Sequence, residues 1–164
     1  MLSHSLTHTL PSLHNTLKFT NYRAQSMLIY KKGDLLNNIT SIAHCVSEDL
    51  AMKKGLALQI KKKYGGTSEL KRQKAKVGQI AVLQRGTKWI IFLITKKLYY
   101  HKPSPAAIYS SLVAMQQFML RQGLTLIGIP KIATGLDKQP WPEIEQMINR
   151  AFKNYNILIT VYTM

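Results

Sequence analysis

From residue 27 onward, apolar positions fall into short runs separated by Gly, Pro and charged turns. MLIYKK (27–32) predicts a strand stopped by Gly33-Asp34, and TSIAHCV (40–46) predicts a second. Ser47-Glu48-Asp49 follow as a helix start. Residues 49–66, DLAMKKGLALQIKKKYGG, predict a helix in which Leu56, Ile60 and Tyr64 recur at fours on one face and Gly65-Gly66 ends it. Gly55 lies inside that pattern at a cost of about 1 kcal/mol relative to Ala. It argues for a later helix start or for close approach of something to the backbone. ELKRQKAK (69–76) predicts a short basic helix, and GQIAVLQ (78–84) with KWIIFLIT (88–95) predicts a hairpin turned by Arg85-Gly86-Thr87.

In the second half Ser104 caps and Pro105 opens a long helix, with Ile108, Leu112, Met115 and Met119 on its core face and Gly123 at its end. LTLIGIP (124–130) predicts a strand. Pro142 opens a helix with Ile144, Met147, Ile148, Ala151 and Phe152 on one face, and ILITVYT (157–163) predicts the last strand. Strands alternate with helices here, which predicts an α/β domain whose mixed sheet is covered by helices on both faces.

Composition narrows the class. The 164 residues suit one domain with a full core, and 46% hydrophobic content excludes a wholly disordered chain. No apolar run reaches the roughly 18 residues of a membrane span, so a soluble chain without a membrane partner is expected. Cys45 is the single cysteine, which excludes an internal disulfide and a Cys-rich metal site. The first 26 residues are rich in Ser, Thr, His and Asn, hold no acid, and carry only Lys18 and Arg23 as cations. Two readings stand for them: a disordered tail dispensable for fold and activity, or a mitochondrial transit segment.

Lys plus Arg is 23 against 7 acids, a formal charge of +16, so polyanions or phosphorylated ligands are the expected company. Fourteen of the cations fall between residues 53 and 102, including Lys61-Lys62-Lys63. They read either as a phosphate-backbone surface or as solvated helix faces. No interleaved aromatic stripe and no zinc spacing accompany them.

Ligands of open α/β sheets bind beyond the carboxyl ends of strands. Four predicted strand ends there carry polar or Gly positions: Gly33-Asp34-Leu35, Ser47-Glu48-Asp49, Lys96-Lys97, and Lys131-Ile132-Ala133-Thr134-Gly135-Leu136-Asp137. The last is a Gly-containing strand–helix loop of the kind that offers N–H groups to phosphate. Asp137 is equally placed to cap the helix that follows. His44 and Cys45 are adjacent in a strand and point to opposite faces, so they do not form a catalytic pair, and Cys45 reads as core.

Several segments together resemble the macro domain family, in particular its terminal ADP-ribose protein glycohydrolases. They are KKGDLL (31–36), IAHCVSEDLAM (42–52), GLALQIKKKYGG (55–66), FLITKK (92–97), HKP (101–103), PKIATGLD (130–137), Trp141 and ITVYTM (159–164). The resemblance runs from residue 27 to the C-terminus, leaving residues 1–26 outside it. It implies a three-layer α/β/α macro domain with a mixed central sheet. It also implies removal of terminal mono-ADP-ribose from acidic residues and deacylation of O-acetyl-ADP-ribose, with no metal and no cofactor.

By the same resemblance Lys96 is the nucleophile and Asp137 the acid/base. Asp34 takes the adenine amino group and Leu35 packs on the ring. Ser47 and Thr95 line the cleft, Lys131, Ile132, Ala133, Thr134, Gly135 and Leu136 wrap the diphosphate and ribose, and Met164 touches the ligand. A neutral amine is the attacking species, and free lysine titrates near pH 10.4, so desolvation or nearby cations such as Lys97 are expected to depress it. Two positions depart from the family pattern. Lys53 stands where relatives usually carry Gly, and Ala133-Thr134 where Gly-Cys is common, which predicts a phosphate loop of somewhat different shape because Ala resists positive φ.

The implied partners are ADP-ribose and mono-ADP-ribosylated proteins, with poly(ADP-ribose) or nucleic acid on the basic surface, and the chain is expected to be a monomer. The alternative is a non-catalytic ADP-ribose reader with nucleic-acid affinity. Nucleus and cytoplasm are the expected compartments, and the mitochondrion if residues 1–26 direct import.

Overall fold

A computed structural model describes residues 26–163. Six strands form one sheet: β1 Met27–Lys32, β2 Ile42–Ser47, β3 Ile80–Arg85, β4 Lys88–Lys96, β5 Leu126–Pro130 and β6 Leu158–Thr163. Their spatial order is β1-β6-β5-β2-β4-β3. All neighbours pair in parallel except the antiparallel β3/β4 hairpin. The helices are α1 Gly55–Tyr64, α2 Thr67–Arg72, α3 Pro105–Gln122 and α4 Trp141–Ala151. A 3-10 turn, Leu35–Asn37, follows β1.

Strand alternation separates two cores, an upper one beneath α3 and α4 and a lower one beneath α1 and α2. Ala43, Ile91, Leu93, Ile127, Ile129, Ile159 and Val161 face α3 and α4, joined by Ile108, Leu112, Met115, Ile144 and Ile148. Ile42, Val46, Leu83, Ile90, Phe92 and Ile94 face the other way, onto Ile60 of α1, Leu70 of α2 and Leu35-Leu36. The expected three-layer α/β/α arrangement with a mixed sheet is therefore present.

Several boundaries move for identifiable reasons. The helix expected over 49–66 spans only Gly55–Tyr64, because Leu50 and Met52 turn into positive φ and Gly55 opens the helix at φ +58°. Gly55 thus marks a later start, one of the two readings its cost allowed. The basic helix lies at Thr67–Arg72 rather than 69–76, and the strand expected from residue 124 begins at Leu126. Pro105 and Ser104 act as expected, with Ser104 Oγ accepting from the Ala107 amide at 3.1 Å. Gly128 is required by crowding: an added Cβ there would lie 3.0 Å from the Tyr162 ring and 3.2 Å from Leu35.

His44 and Cys45 do point to opposite faces. His44 is buried in the lower core, edge-on to Phe92 with ring centroids 4.7 Å apart. Its Nε2 has no hydrogen-bond partner among the described residues. Burial lowers its pKa to about 3. Between pH 6.5 and about 3 the unfolded chain therefore holds a proton that the folded chain does not. Stability contributed by neutral His44 is present above pH 6.5 and is lost as pH falls, by about 1.4 kcal/mol per pH unit. His44→Leu removes this dependence. Denaturant titrations across pH 7 to 4.5 are expected to show the wild type losing stability relative to the variant, and parallel pH profiles would contradict the assignment.

Candidate active site

β2 and β4 pair in register from Ile42↔Ile90 to Val46↔Ile94, and then Ser47 pairs with Lys96, leaving Thr95 as an extra residue. This bulge shifts the alternation of β4 by one position at its carboxyl end. Lys96 thereby leaves the lower-face parity set by Ile94. Its ammonium meets the Asp137 carboxylate, Nζ to Oδ1 2.6 Å, with both side chains 12% exposed.

Asp137 arrives from the β5–α4 loop, which is anchored in the upper core by Ile132 and Ala133. Asp137 does not cap α4; Pro140 occupies the N-cap position without a side-chain cap. The loop is held by its own bonds: Thr134 Oγ1 donates to the Lys131 carbonyl at 2.7 Å, and the Gln139 amide to the Ala133 carbonyl at 2.7 Å. Ala133 sits at φ +60°. This corrects the expectation that Ala would avoid positive φ here; packing of its methyl in the core and the bond to Gln139 hold a conformation costing an L-residue about 1–2 kcal/mol.

The crevice has a topological origin. β5 and β2 pair only at Ile42↔Gly128, the first residue of β2 and the middle of β5, and the chain leaves them in opposite directions. From β2 it runs through α1 and α2 on the lower face, and from β5 through α4 on the upper face. Such a switch point is the preferred ligand site of an open α/β sheet.

Cys45 belongs to the upper core, as expected, yet it also lies close to the pair. Burial pushes its thiol up to about 12, the Asp137 carboxylate adds to this, and Lys96, Thr95 and Ala133 partly offset it. It is a neutral thiol, not a nucleophile. Thr95 is buried, and its hydroxyl finds no nitrogen or oxygen partner among the described residues.

Ser47 is also buried, and its hydroxyl donates to Asp49. Asp49 in turn accepts from the Ala51 amide and, across the cleft rim, from the Tyr99 amide, both at 3.2 Å. Partial burial works to raise the Asp49 pKa, but Ser47, the two amides and Lys53 outweigh it and hold the carboxyl below its ordinary value. In sequence Asp49 stood only as part of the polar strand end Ser47-Glu48-Asp49, without a role of its own.

Asp34 stands at the carboxyl end of β1, exposed, and caps the 3-10 turn by accepting from the Leu36 amide at 2.9 Å. It lines a concavity of about 480 Å³ together with Lys31, Gly33, Asn38 and Tyr162. Leu35 turns inward and is 4% exposed, against Gly128. In the loop Ile132 and Ala133 are buried, Thr134 is half-buried, and Lys131, Gly135 and Leu136 are exposed. Met164 and the segment up to residue 25 lie outside the described residues. Among the described residues no group of three His, Cys, Asp or Glu side chains is placed to hold a metal ion, and no helix is long and apolar enough to cross a membrane.

No family model matches the chain. Over 141 residues it is 43% identical to human ADP-ribose glycohydrolase OARD1, covering 85% of this chain and 93% of the relative. It is 28% identical to the DNA ADP-ribosyl glycohydrolase of Mycobacterium tuberculosis over 141 residues, 77% of this chain and 39% of that protein. The solved macrodomain of M. tuberculosis DarG superposes with a TM-score of 0.75 at 25% identity, covering 85% of this chain and 99% of that structure. The chain belongs to the macro domain family. Within it, the similarity to OARD1 spans nearly the whole of that enzyme.

Asp49 tethers two rims of the crevice, so its removal has a measurable cost. Asp49→Ala forfeits three hydrogen bonds to a carboxylate. An unfolding free energy lower by about 2 kcal/mol is expected from chemical denaturation at pH 7. The contribution is lost as pH falls through the lowered carboxylate pKa, so the gap between wild type and variant is expected to close in strong acid.

Proposed function

We propose that the protein is a hydrolase that cleaves terminal ADP-ribose from acidic side chains and from O-acyl esters, with Lys96 as nucleophile and Asp137 as acid/base. The observation that carries this reading is the 2.6 Å contact between Lys96 Nζ and Asp137 Oδ1 at the sheet's switch point. The 43% identity to human ADP-ribose glycohydrolase OARD1 supports the activity class.

The chemistry suits these groups. An ADP-ribosyl ester carries a carboxylate leaving group on the anomeric carbon of the distal ribose. Asp137 takes a proton from the Lys96 ammonium across their hydrogen bond, freeing the nitrogen lone pair. Nζ attacks the anomeric carbon, and the carbon–oxygen bond breaks with its electrons leaving on the acceptor carboxylate. Asp137, now the acid, gives that proton to the departing carboxylate and, a carboxylate again, takes the proton lost by the new C–N centre. In the second half Asp137 returns the proton to nitrogen, the C–N bond breaks with its electrons on nitrogen, and water adds to the anomeric carbon while giving its proton to the Asp137 carboxylate, so that ADP-ribose and free Lys96 result.

Asp34 is assigned to the adenine amino group, beside the concavity it lines. Residues 131–136 are assigned to the diphosphate and ribose, and Ser47, Thr95, Leu35 and Met164 to the walls. The partners are ADP-ribose and mono-ADP-ribosylated proteins; the compartments proposed are nucleus and cytoplasm. ADP-ribose linked to DNA is a second attachment chemistry, favoured by the substrate of the mycobacterial relative.

Lys96→Ala is expected to abolish release of ADP-ribose from a Glu-linked ADP-ribosylated peptide while calorimetry shows ADP-ribose affinity within a few-fold of wild type, because a nucleophile adds little to ground-state binding. Near wild-type release by the variant contradicts the nucleophile. Wild-type protein that binds ADP-ribose without ever releasing it from the peptide is a reader, not a hydrolase.

A further inference from the structure

The segment that carries Lys96 continues as Lys97-Leu98-Tyr99-Tyr100-His101-Lys102, and it turns back on itself through the His101 amide bonded to the Leu98 carbonyl at 3.0 Å. The three rings form one cluster. Tyr99 and Tyr100 meet edge-to-face with centroids 5.3 Å apart, and Tyr100 and His101 at 4.8 Å. Tyr99 is 42% and Tyr100 68% exposed. Nothing in the cores requires them there: neither ring belongs to either cluster of buried residues.

The cluster is held in place. The Tyr99 amide is bonded to Asp49 Oδ2 at 3.2 Å, and the Asp49 amide to the Lys97 carbonyl at 3.2 Å. The Lys53 ammonium lies 4.5 Å from the Tyr99 ring centroid. Lys53, at the position where a Gly is common, therefore meets an aromatic face. Lys97 and Lys102 flank the rings and are exposed. The nearby acids are engaged: Asp49 in the loop bonds described above, and Glu48 with Lys76 at 3.5 Å and with the Val77 amide. Lys53, Lys97 and Lys102 have no carboxylate partner within salt-bridge distance among the described residues.

We propose that Tyr99, Tyr100 and His101, ringed by Lys53, Lys97 and Lys102, form a stacking platform for single-stranded nucleic acid at the rim of the ADP-ribose crevice. Exposed rings beside ammonium groups are what an unpaired strand needs: bases stack on the π-faces and phosphates meet the cations. A duplex offers the cations its backbone but keeps its bases from the rings. A bilayer is disfavoured because Leu98, the aliphatic side chain of the segment, is half-buried and leaves no wedge to insert. The platform lies outside the crevice and so stands or falls independently of turnover by Lys96.

Fluorescence anisotropy with labelled dT20 and U20 strands, a 20-base-pair duplex and phosphatidylserine vesicles tests it. The wild type is expected to bind at least one single strand more tightly than the duplex, and to leave the vesicles unbound at physiological salt. Tyr99→Ala/Tyr100→Ala is expected to weaken single-strand binding about tenfold or more, while Tyr100→Phe keeps it and ADP-ribose affinity of the double variant stays unchanged. Whichever of dT20 and U20 binds tighter identifies the strand's sugar chemistry. Equal single-strand binding by wild type and the double alanine variant overturns the platform, as does equal binding of duplex and single strand. Binding to vesicles but not to oligonucleotides also overturns it, and assigns the cations to a membrane surface.

Discussion

The site depends on a one-residue slip in the pairing of β2 with β4. Through Val46↔Ile94 the two central strands alternate cleanly, and every second β4 side chain enters the lower core. Unbroken alternation would send Lys96 the way of Phe92 and Ile94. Thr95 takes up the extra position, and Lys96 emerges where Asp137 descends from a loop rooted in the opposite core. A bulge next to a reactive group is a common way to re-aim a side chain without altering the sheet behind it. The strain is met nearby: Leu50, Met52 and Ala133 all adopt positive φ around the crevice, and the bonds of Asp49 and Gln139 hold the loops that contain them.

A half-buried ion pair is a poor device for stability, since desolvation offsets much of the attraction. It is a good device for chemistry. It keeps an ammonium and a carboxylate in contact, at the point where β5 and β2 separate. The remainder of the charge behaves differently. Among the described residues only Lys76 and Arg85 join Lys96 in carboxylate pairs, so most of the +16 charge faces solvent and its field is screened over roughly 10 Å in ordinary salt. At the rim this leaves Lys53, Lys97 and Lys102 exposed and outside any carboxylate pair among the described residues.

Much of this was legible in the chain. Alternation at His44-Cys45 assigned their faces, Ser104-Pro105 placed the start of α3, and the strand ends bearing Lys96 and Asp137, singled out in sequence, are brought into contact. Three things were not legible, for physical reasons. The start of α1 was masked because Leu50 and Met52 hold positive φ through tertiary contacts that propensity does not see. The bulge leaves no mark in a run as apolar as KWIIFLIT. The bond between Asp49 and the Tyr99 amide depends on which loops meet at the crevice, and the spacing of those residues in sequence does not encode that meeting.

The account turns on a covalent bond between Lys96 and the distal ribose. Wild-type protein denatured during turnover of a Glu-linked ADP-ribosylated peptide, digested and analysed by peptide mass spectrometry is its most direct test. The account predicts an ADP-ribose adduct on the peptide containing Lys96 and on no other lysine. Release of free ADP-ribose with no adduct at Lys96 at any time during turnover would contradict it.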